Sequence, residues 1–174
     1  MAQRSVVTYG SPFLKRRAAE IREIDDSIKK LAGEMFEALE RSRGVGLAAP
    51  QIGVPLRLIV LSIPMDDGSR WKCAIVNPEL VSRKGRITSE EGCLSVPGIY
   101  EEITRAEEVE VKGTDLEGKE VRFKGKGLLA KAAQHEIDHI DGILIVDRLS
   151  AIKRHVLQKR LRKLEEIHKA GGRK

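Results

Sequence analysis

Residues 134–139, Gln-His-Glu-Ile-Asp-His, constrain the fold more than any other part of the sequence. Histidines four positions apart are rotated by only about 40° on a helix of 3.6 residues per turn, so their imidazoles point to one side. Such a pair can share one metal ion. Glu136 is turned away from direct ligation, yet it stays near a water on the same ion, where a general base belongs. The segment predicts a helix at a metallohydrolase site; the alternative is two histidines that merely share a surface.

A catalytic centre of this kind uses three protein ligands and one open position, so a third ligand has to come from elsewhere. The candidate is Cys93, in the stretch 89–98, Ser-Glu-Glu-Gly-Cys-Leu-Ser-Val-Pro-Gly. Gly92 frees the backbone before it, and Pro97-Gly98 is predicted to turn the chain after it. A thiolate presented from this bend or strand end would complete the ligand set. Cys73 lies in an apolar strand and is expected to be a buried small hydrophobe.

Apolar periodicity predicts three helices. Residues 25–43 form an amphipathic helix closed by the glycine that follows, and residues 128–141 form the helix of the metal motif, also ended by glycine. Ser150 opens a third helix, and residues 142–147 before it are expected to be a short extended piece. A proline just after a capping serine predicts a short helical turn within residues 11–19.

Runs of β-branched or alternating apolar residues predict the strands. The fold class that this order of elements predicts is α+β, with antiparallel sheets packed around a central metal-binding helix and the N-terminal and C-terminal helices outside. The predicted strands are 57–63; 73–80, ended by Asn77-Pro78; 84–89; and a half-exposed hairpin of 102–112 and 119–123 around a turn at 115–118.

Residues 44–53, Gly-Val-Gly-Leu-Ala-Ala-Pro-Gln-Ile-Gly, let the backbone approach a partner or ligand closely. They are not a dinucleotide fingerprint, because the third glycine and the preceding strand are missing. Two interpretations remain. The segment is either a glycine-rich turn between helix and strand, or a rigid loop in which the Gln51 amide offers N–H groups to a developing oxyanion.

Length and composition favour a single domain over residues 1–174, large enough to bury roughly 70% of its unfolded surface. Two cysteines are too few for a disulfide framework. No apolar run approaches the ~20 residues of a membrane span, and residues 1–10 lack a secretory-signal pattern. We therefore expect a cytoplasmic enzyme that contacts neither membrane nor DNA.

The C-terminal segment, residues 148–174, holds ten Lys and Arg against two acidic residues. This basic helix is either a solvated face or a contact for ribosomal RNA. Its two histidines, His155 and His168, are expected to be surface residues rather than metal ligands.

Three stretches occur in order: 44–51, then 91–95 (Glu-Gly-Cys-Leu-Ser), then 134–139. Together they resemble the three signature motifs of the peptide deformylase family, whose enzymes remove the N-formyl group from nascent bacterial polypeptides. The resemblance covers nearly the whole chain, including the early helix and the basic final helix. It implies hydrolysis of N-formylmethionyl peptides with release of formate.

The resemblance also implies one divalent metal ion per chain, natively Fe²⁺, with Zn²⁺, Ni²⁺ or Co²⁺ able to occupy the site. Glu136 would be the general acid and base. The Gln51 side-chain amide and the Leu94 backbone N–H would be the oxyanion donors. The implied metal ligands are Cys93, His135 and His139.

The implied pocket for the methionine side chain is less sharply defined, because ordinary core packing explains each of its residues equally well. Lys131 departs from the family, since some members have an apolar pocket residue at this position. Asp138 either orients a ligand histidine or pairs with Arg105. The implied pocket residues are Val45, Gly46, Glu91, Leu128 and Ala132, with Gly98 and Tyr100 nearby.

Two other functions compete with this one. An endopeptidase would share the helix motif, but the upstream cysteine and the lack of a later ligand cluster argue against it. A basic RNA-binding protein could carry a purely structural metal site. Such a site is closed by four protein ligands, and no fourth ligand stands at motif spacing.

Overall fold

The computed structural model describes residues 4–171 and confirms the predicted α+β class. The described part contains three α-helices, seven strands and three short 3₁₀ helices. The α-helices are α1 (Asp26–Ser42), α2 (Gly127–Ile140) and α3 (Ala151–Gly171). The strands are β1 (Gly46–Ala48), β2 (Leu58–Pro64), β3 (Arg70–Lys84), β4 (Ile87–Cys93), β5 (Val96–Arg105), β6 (Glu108–Thr114) and β7 (Glu120–Lys126). The 3₁₀ helices are Pro12–Lys15, Ala49–Ile52 and Ile145–Arg148.

The strands form two antiparallel sheets. Five strands pair in the order β1-β2-β3-β6-β7, and β4 and β5 form a separate two-stranded sheet. Strand β1 pairs on one side only, with β2, so it lies at an edge of the larger sheet.

Strand β2 separates the two main hydrophobic clusters. Successive residues of a strand point to opposite faces of the sheet. Ile59 and Leu61 therefore join the cluster around α2, while Leu58 and Val60 join the cluster around α1. Because all four side chains are fully buried, helix α2 is fixed on one face of the sheet and α1 on the other. As predicted, the motif helix is the central one.

A third cluster joins the β4–β5 hairpin to the C-terminal part of the chain. Helix α3 contributes Leu157 and Leu161 to it, and most of the other α3 side chains are exposed. The predicted basic segment extends to Lys174, and residues 172–174 lie outside the described residues, as do residues 1–3 of the N-terminal prediction. Within residues 4–171, no helix is both long enough and apolar enough to cross a membrane.

The prediction that Asn77-Pro78 ends a strand is wrong, because β3 continues through both residues. Asn77 adopts a left-handed backbone conformation (φ 49°), and the pairing register shifts between Val76 and Glu79. The Asn77 side chain exchanges two hydrogen bonds with the backbone of Ile21. A β-bulge thus accommodates the proline without ending the strand.

The prediction for residues 102–112 is also wrong in part, because this stretch belongs to two strands in different sheets. Strand β5 pairs with β4, and β6 pairs with β7 around the predicted turn at 115–118. The turn after Cys93 lies at residues 94–95 rather than at Pro97-Gly98, which are part of β5. Cys93 pairs with Val96. Because Val96 is completely buried, the beginning of β5 lies in the core.

Three smaller differences have local causes. Residues 145–148 form a 3₁₀ helix, since the Asp147 carboxylate accepts a hydrogen bond from Leu144 N–H at 2.8 Å. Helix α1 is closed by Arg43 (φ 54°), whose N–H donates to Glu40, and not by Gly44. The stretch 44–53 contains β1 and a 3₁₀ helix, so it is more than a turn.

Candidate active site

Three nucleophilic atoms from two parts of the chain meet at one point. Cys93 Sγ lies 3.2 Å from His139 Nε2, which lies 3.2 Å from His135 Nε2. All three atoms are within 4.8 Å of one another, and together they can hold a metal ion. The structure thus brings together the three side chains that the motifs singled out.

Local structure explains this convergence. The histidines lie on one face of α2, as their four-residue spacing requires, and Cys93 is the last residue of β4. Ala130 and Ala133 are fully buried in α2, and their small side chains let the helix pack closely against the sheet. His139 is only 1% exposed.

Glu91 and Arg105 orient His135. Glu91 Oε2 lies 3.2 Å from His135 Nδ1, and Arg105 donates two hydrogen bonds to the same carboxylate at 2.7 and 2.9 Å. Burial alone would raise the pKa of Glu91, but the hydrogen bonds from His135 and Arg105 outweigh it and hold that pKa at about 2. An ionised Glu91 accepts a hydrogen bond from His135 Nδ1–H, which leaves Nε2 facing Cys93 and His139.

The Asp138 carboxylate forms ion pairs and is not hydrogen-bonded to His135 or His139. Its carboxylate accepts a hydrogen bond from Arg105 at 2.7 Å and hydrogen bonds from Arg148. Arg105 is thereby held between two buried carboxylates, with its side chain 2% exposed. Of the two alternatives for Asp138, the ion pair is correct; the pairing with Arg148 was not expected from the sequence.

Glu136 is a buried carboxylate next to the three donor atoms. Burial raises its pKa to about 7, and its Oε2 atom has no hydrogen-bond partner within the described part of the chain. At near-neutral pH Glu136 can therefore both accept and release a proton.

The pKa of His139, by contrast, is lowered well below its ordinary value, by burial and by the nearby His135. His139 is therefore neutral, and a neutral imidazole is the form that binds metals.

The amide of Gln51 has a fixed orientation. Its Oε1 accepts a hydrogen bond from Ala48 N–H at 2.8 Å, which leaves Nε2 pointing 3.7 Å from Cys93 Sγ and 3.4 Å from Ser95 Oγ. The side chain is 1% exposed, within the 3₁₀ helix that follows β1. Ser95 is fully buried, and no sequence pattern singled it out.

A cavity of about 480 Å³ opens from this point to the surface. The buried His139 is not part of its lining, whereas the lining residues Tyr100 and Leu128 are 65% and 41% exposed. The Glu91 carboxylate is engaged by Arg105 and His135. The lining includes the other predicted site residues, namely Val45, Gly46, Gln51, Glu91, Cys93, Leu94, Gly98, Tyr100, Leu128, Ala132, His135 and Glu136, as well as Lys131 and, unpredicted, Arg43.

The remaining cysteine and histidines lie outside the group of atoms that could hold a metal ion. Cys73 is half-buried on β3, and burial raises the pKa of its thiol to about 11. His155 is exposed and His168 half-buried on α3. None of the three belongs to the Cys93 group.

Comparison with known proteins places these observations in a family. Residues 3–155 match the family model described as polypeptide deformylase. The chain is 48% identical over 153 residues to a peptide deformylase of Thermomicrobium roseum, covering 86% of this chain and 87% of that protein. It is 41% identical to one of Acidobacterium capsulatum, with 95% and 97% covered. The crystal structure of a peptide deformylase from Legionella pneumophila is similar, with a TM-score of 0.86 at 45% identity and coverage of 95% and 97%.

Proposed function

Since the chain belongs to the peptide deformylase family, we propose that it hydrolyses the N-formyl group of N-formylmethionyl peptides on newly synthesised proteins and releases formate. The observation that carries this proposal is the convergence of one thiolate and two imidazole nitrogens beside a buried carboxylate. Formylated peptides are the substrates of the family. We propose in addition which metal is bound, what single residues do and where in the cell the enzyme works. Residues 1–174 are taken to form one catalytic domain.

The ligand set suits one divalent ion per chain, bound by Cys93 Sγ, His135 Nε2 and His139 Nε2. Three electron-pair donors that lie within 4.8 Å of one another can all reach one cation. Imidazole and thiolate ligands suit Fe²⁺, Zn²⁺, Ni²⁺ and Co²⁺, and we propose Fe²⁺ as the native ion. When bound, the ion supplies Lewis acidity, which makes water more acidic and polarises a carbonyl group.

Glu136 moves the proton. Its buried carboxylate, with a pKa near neutrality, takes one proton from the attacking water as a new C–O bond forms at the formyl carbon. The same carboxyl group then gives that proton to the nitrogen as the C–N bond breaks. One water is consumed, and formate and a free amino terminus are released.

Two N–H donors stabilise the negative charge that develops on the formyl oxygen. One is Gln51 Nε2, which the hydrogen bond from Ala48 to Oε1 directs toward the site. The other is the backbone N–H of Leu94, in the turn that follows Cys93. Donors fixed before the reaction need no reorganisation when charge appears.

The cavity wall would hold the methionine side chain. Its apolar part near α2 is formed by Val45, Leu128 and Ala132, with Gly46 beside Glu136. Gly98 and Tyr100 form the opposite margin on β5, where the rest of the peptide would leave. Glu91 contributes by orienting His135.

We further propose that the enzyme works in the cytoplasm and contacts ribosomal RNA through α3. The helix presents exposed basic side chains, while Leu157 and Leu161 anchor it to the core, so deleting it would also damage the fold. Charge reversal is the cleaner test. Lys159→Glu with Lys163→Glu is expected to reduce co-sedimentation with ribosomes, whereas Lys119→Glu with Lys124→Glu, on exposed parts of the β6–β7 hairpin, is not. Equal sedimentation of both variants would remove this part of the proposal.

Formate release from formyl-Met-Ala-Ser tests the central reaction. Metal-loaded wild type is expected to release one formate per peptide, and Glu136→Gln is expected to keep its metal and lose the activity. An acetylated peptide, whose N-terminus is blocked without a formyl group, serves as the control: its cleavage at an internal bond would reveal endopeptidase activity. Metal bound without formate release by wild type would favour a structural metal site and overturn the proposal.

A further inference from the structure

The mouth of the cavity carries positive charge that the proposed catalytic roles do not use. Arg43 and Lys131 line the cavity itself. Two more arginines donate hydrogen bonds to the carbonyl groups of lining glycines: Arg70 to Gly44 at 3.2 Å, and Arg160 to Gly98. We call Arg43, Arg70, Lys131 and Arg160 the cationic rim.

Protein carboxylates oppose the cationic rim only weakly: Arg70 helps to lower the pKa of Glu40, but Glu40 is itself paired with Lys72. None of its four side chains forms an ion pair with a carboxylate of residues 4–171, and Lys131 donates instead to the neutral Ser89 hydroxyl at 3.1 Å. Among the acidic residues that line the cavity, Glu91 is paired with Arg105 and Glu136 is buried. Glu90 is exposed and opposes the rim with one negative charge. The mouth therefore has a net positive charge.

We propose that the cationic rim selects formylated peptides that carry an acidic side chain in the first few residues after formylmethionine. The inference rests on the proposed function, since it assumes that the peptide leaves the reaction centre through this mouth. A carboxylate that passes the rim gains Coulomb attraction, and a lysine is repelled. Because the rim is largely exposed, each new pair contributes little and is screened by salt.

Arg43 is the rim residue whose position is best defined by the backbone. It closes α1 in the left-handed conformation, with its N–H donating to Glu40 at 3.1 Å, and it directly precedes the Gly44-Val45-Gly46 wall of the cavity. The backbone that carries the Arg43 side chain is therefore held in a fixed position at the mouth of the cavity. Arg160 extends from α3 and donates to the carbonyl group of Gly98 on β5, so the rim draws its arginines from separate elements.

The test compares kcat/KM for formate release from formyl-Met-Asp-Ala, formyl-Met-Lys-Ala and the neutral formyl-Met-Ala-Ser. We expect wild type to favour the acidic over the basic peptide by roughly two- to fivefold at low salt, and to lose this preference at high salt. Arg43→Glu should remove or reverse the preference. Arg43→Gln and Arg160→Gln should each reduce it, and they guard against misfolding, since an acidic residue at a helix C-terminus is unfavourable.

The matched control is Arg86→Glu, which makes the same charge change at an exposed site that does not line this cavity. It is expected to keep the wild-type preference. Equal rates for acidic and basic peptides in wild type would overturn the rim proposal while leaving the proposed function intact. So would a preference that survives both Arg43→Glu and Arg160→Gln, or one that Arg86→Glu abolishes as well. Absence of formate from all three peptides would overturn both proposals.

Discussion

Gly46 lies so close to Glu136 that no side chain fits between them. A Cβ atom at residue 46 would be 2.5 Å from Glu136 Oε1 and 2.8 Å from its Cγ. The backbone of β1 at Gly46 therefore lies directly against the Glu136 carboxylate of α2. The carboxylate occupies the space that a side chain at residue 46 would need. Glycine at this position serves close approach rather than an unusual backbone angle, because Gly46 has no positive φ.

Gly46→Ala is expected to displace the Glu136 carboxylate and to lower kcat for formate release by about 10²-fold, since small misplacements of a reacting group have effects of this size. Metal content should stay near one ion per chain, because none of the three ligands moves. Gly33→Ala is the control, because a Cβ atom at this exposed helix position meets no other atom. Replacing glycine by alanine within a helix should raise the free energy of unfolding by roughly 0.5–1 kcal/mol and leave kcat unchanged. Wild-type kcat in Gly46→Ala would contradict the assignment.

Arg105→Met should destabilise the protein by about 3–5 kcal/mol, because it leaves Glu91 and Asp138 as buried carboxylates that have lost their shared partner. Urea unfolding of the metal-free protein measures the change without a contribution from metal binding. Arg122→Met removes an arginine whose pair with Glu110 is at the surface, and it should change the midpoint little. Equal effects of the two substitutions would show that the buried network contributes no more than a surface pair.

Gln51→Leu removes one of the two proposed N–H donors and should lower kcat by ~10²–10³. KM should change less, because the donor acts on charge that develops during the reaction. The same exchange at the exposed Gln158 should alter neither constant. A raised KM with unchanged kcat for Gln51→Leu would assign Gln51 to substrate binding instead.

Alkylation of Cys73 should depend on pH as expected for a buried thiol. Burial raises the pKa of the Cys73 thiol to about 11, so in the folded protein its reaction with iodoacetamide should increase steeply only above pH 9. Above that pH the unfolded chain loses the thiol proton before the folded chain does, so this group lowers the free energy of unfolding as pH rises toward 11. Peptide mapping by mass spectrometry separates Cys73 from Cys93. A midpoint near pH 8.5 for Cys73 would show that burial does not suppress its thiolate.

The sequence allowed the three side chains that could hold a metal ion to be predicted, because their positions follow from local rules. His135 and His139 share a helix face by spacing alone, and the glycine before Cys93 indicated a backbone able to present the thiol. The network of Arg105 with Glu91, Asp138 and Arg148 could not be predicted in full, because it joins β4, β5, α2 and a 3₁₀ helix through contacts between distant residues.

The strand boundaries that the sequence missed have the same origin. The Asn77-Pro78 pair is a normal strand end by local preference, and it is the contact of Asn77 with Ile21, 56 residues away, that lets β3 continue. Likewise, alternation along residues 102–112 does not reveal that the chain changes sheets between Arg105 and Glu108. Tertiary contacts decided both outcomes.

Absorption spectroscopy of the Co²⁺-substituted protein tests the central claim most directly, because a thiolate ligand gives Co²⁺ a sulfur-to-metal charge-transfer band that imidazole ligands do not. We predict one Co²⁺ per chain and a near-ultraviolet charge-transfer band in wild type. The band should persist in Cys73→Ser and disappear in Cys93→Ser. A Cys93→Ser protein that binds Co²⁺ with the wild-type spectrum would show that the sulfur of Cys93 is not a ligand and would contradict the account.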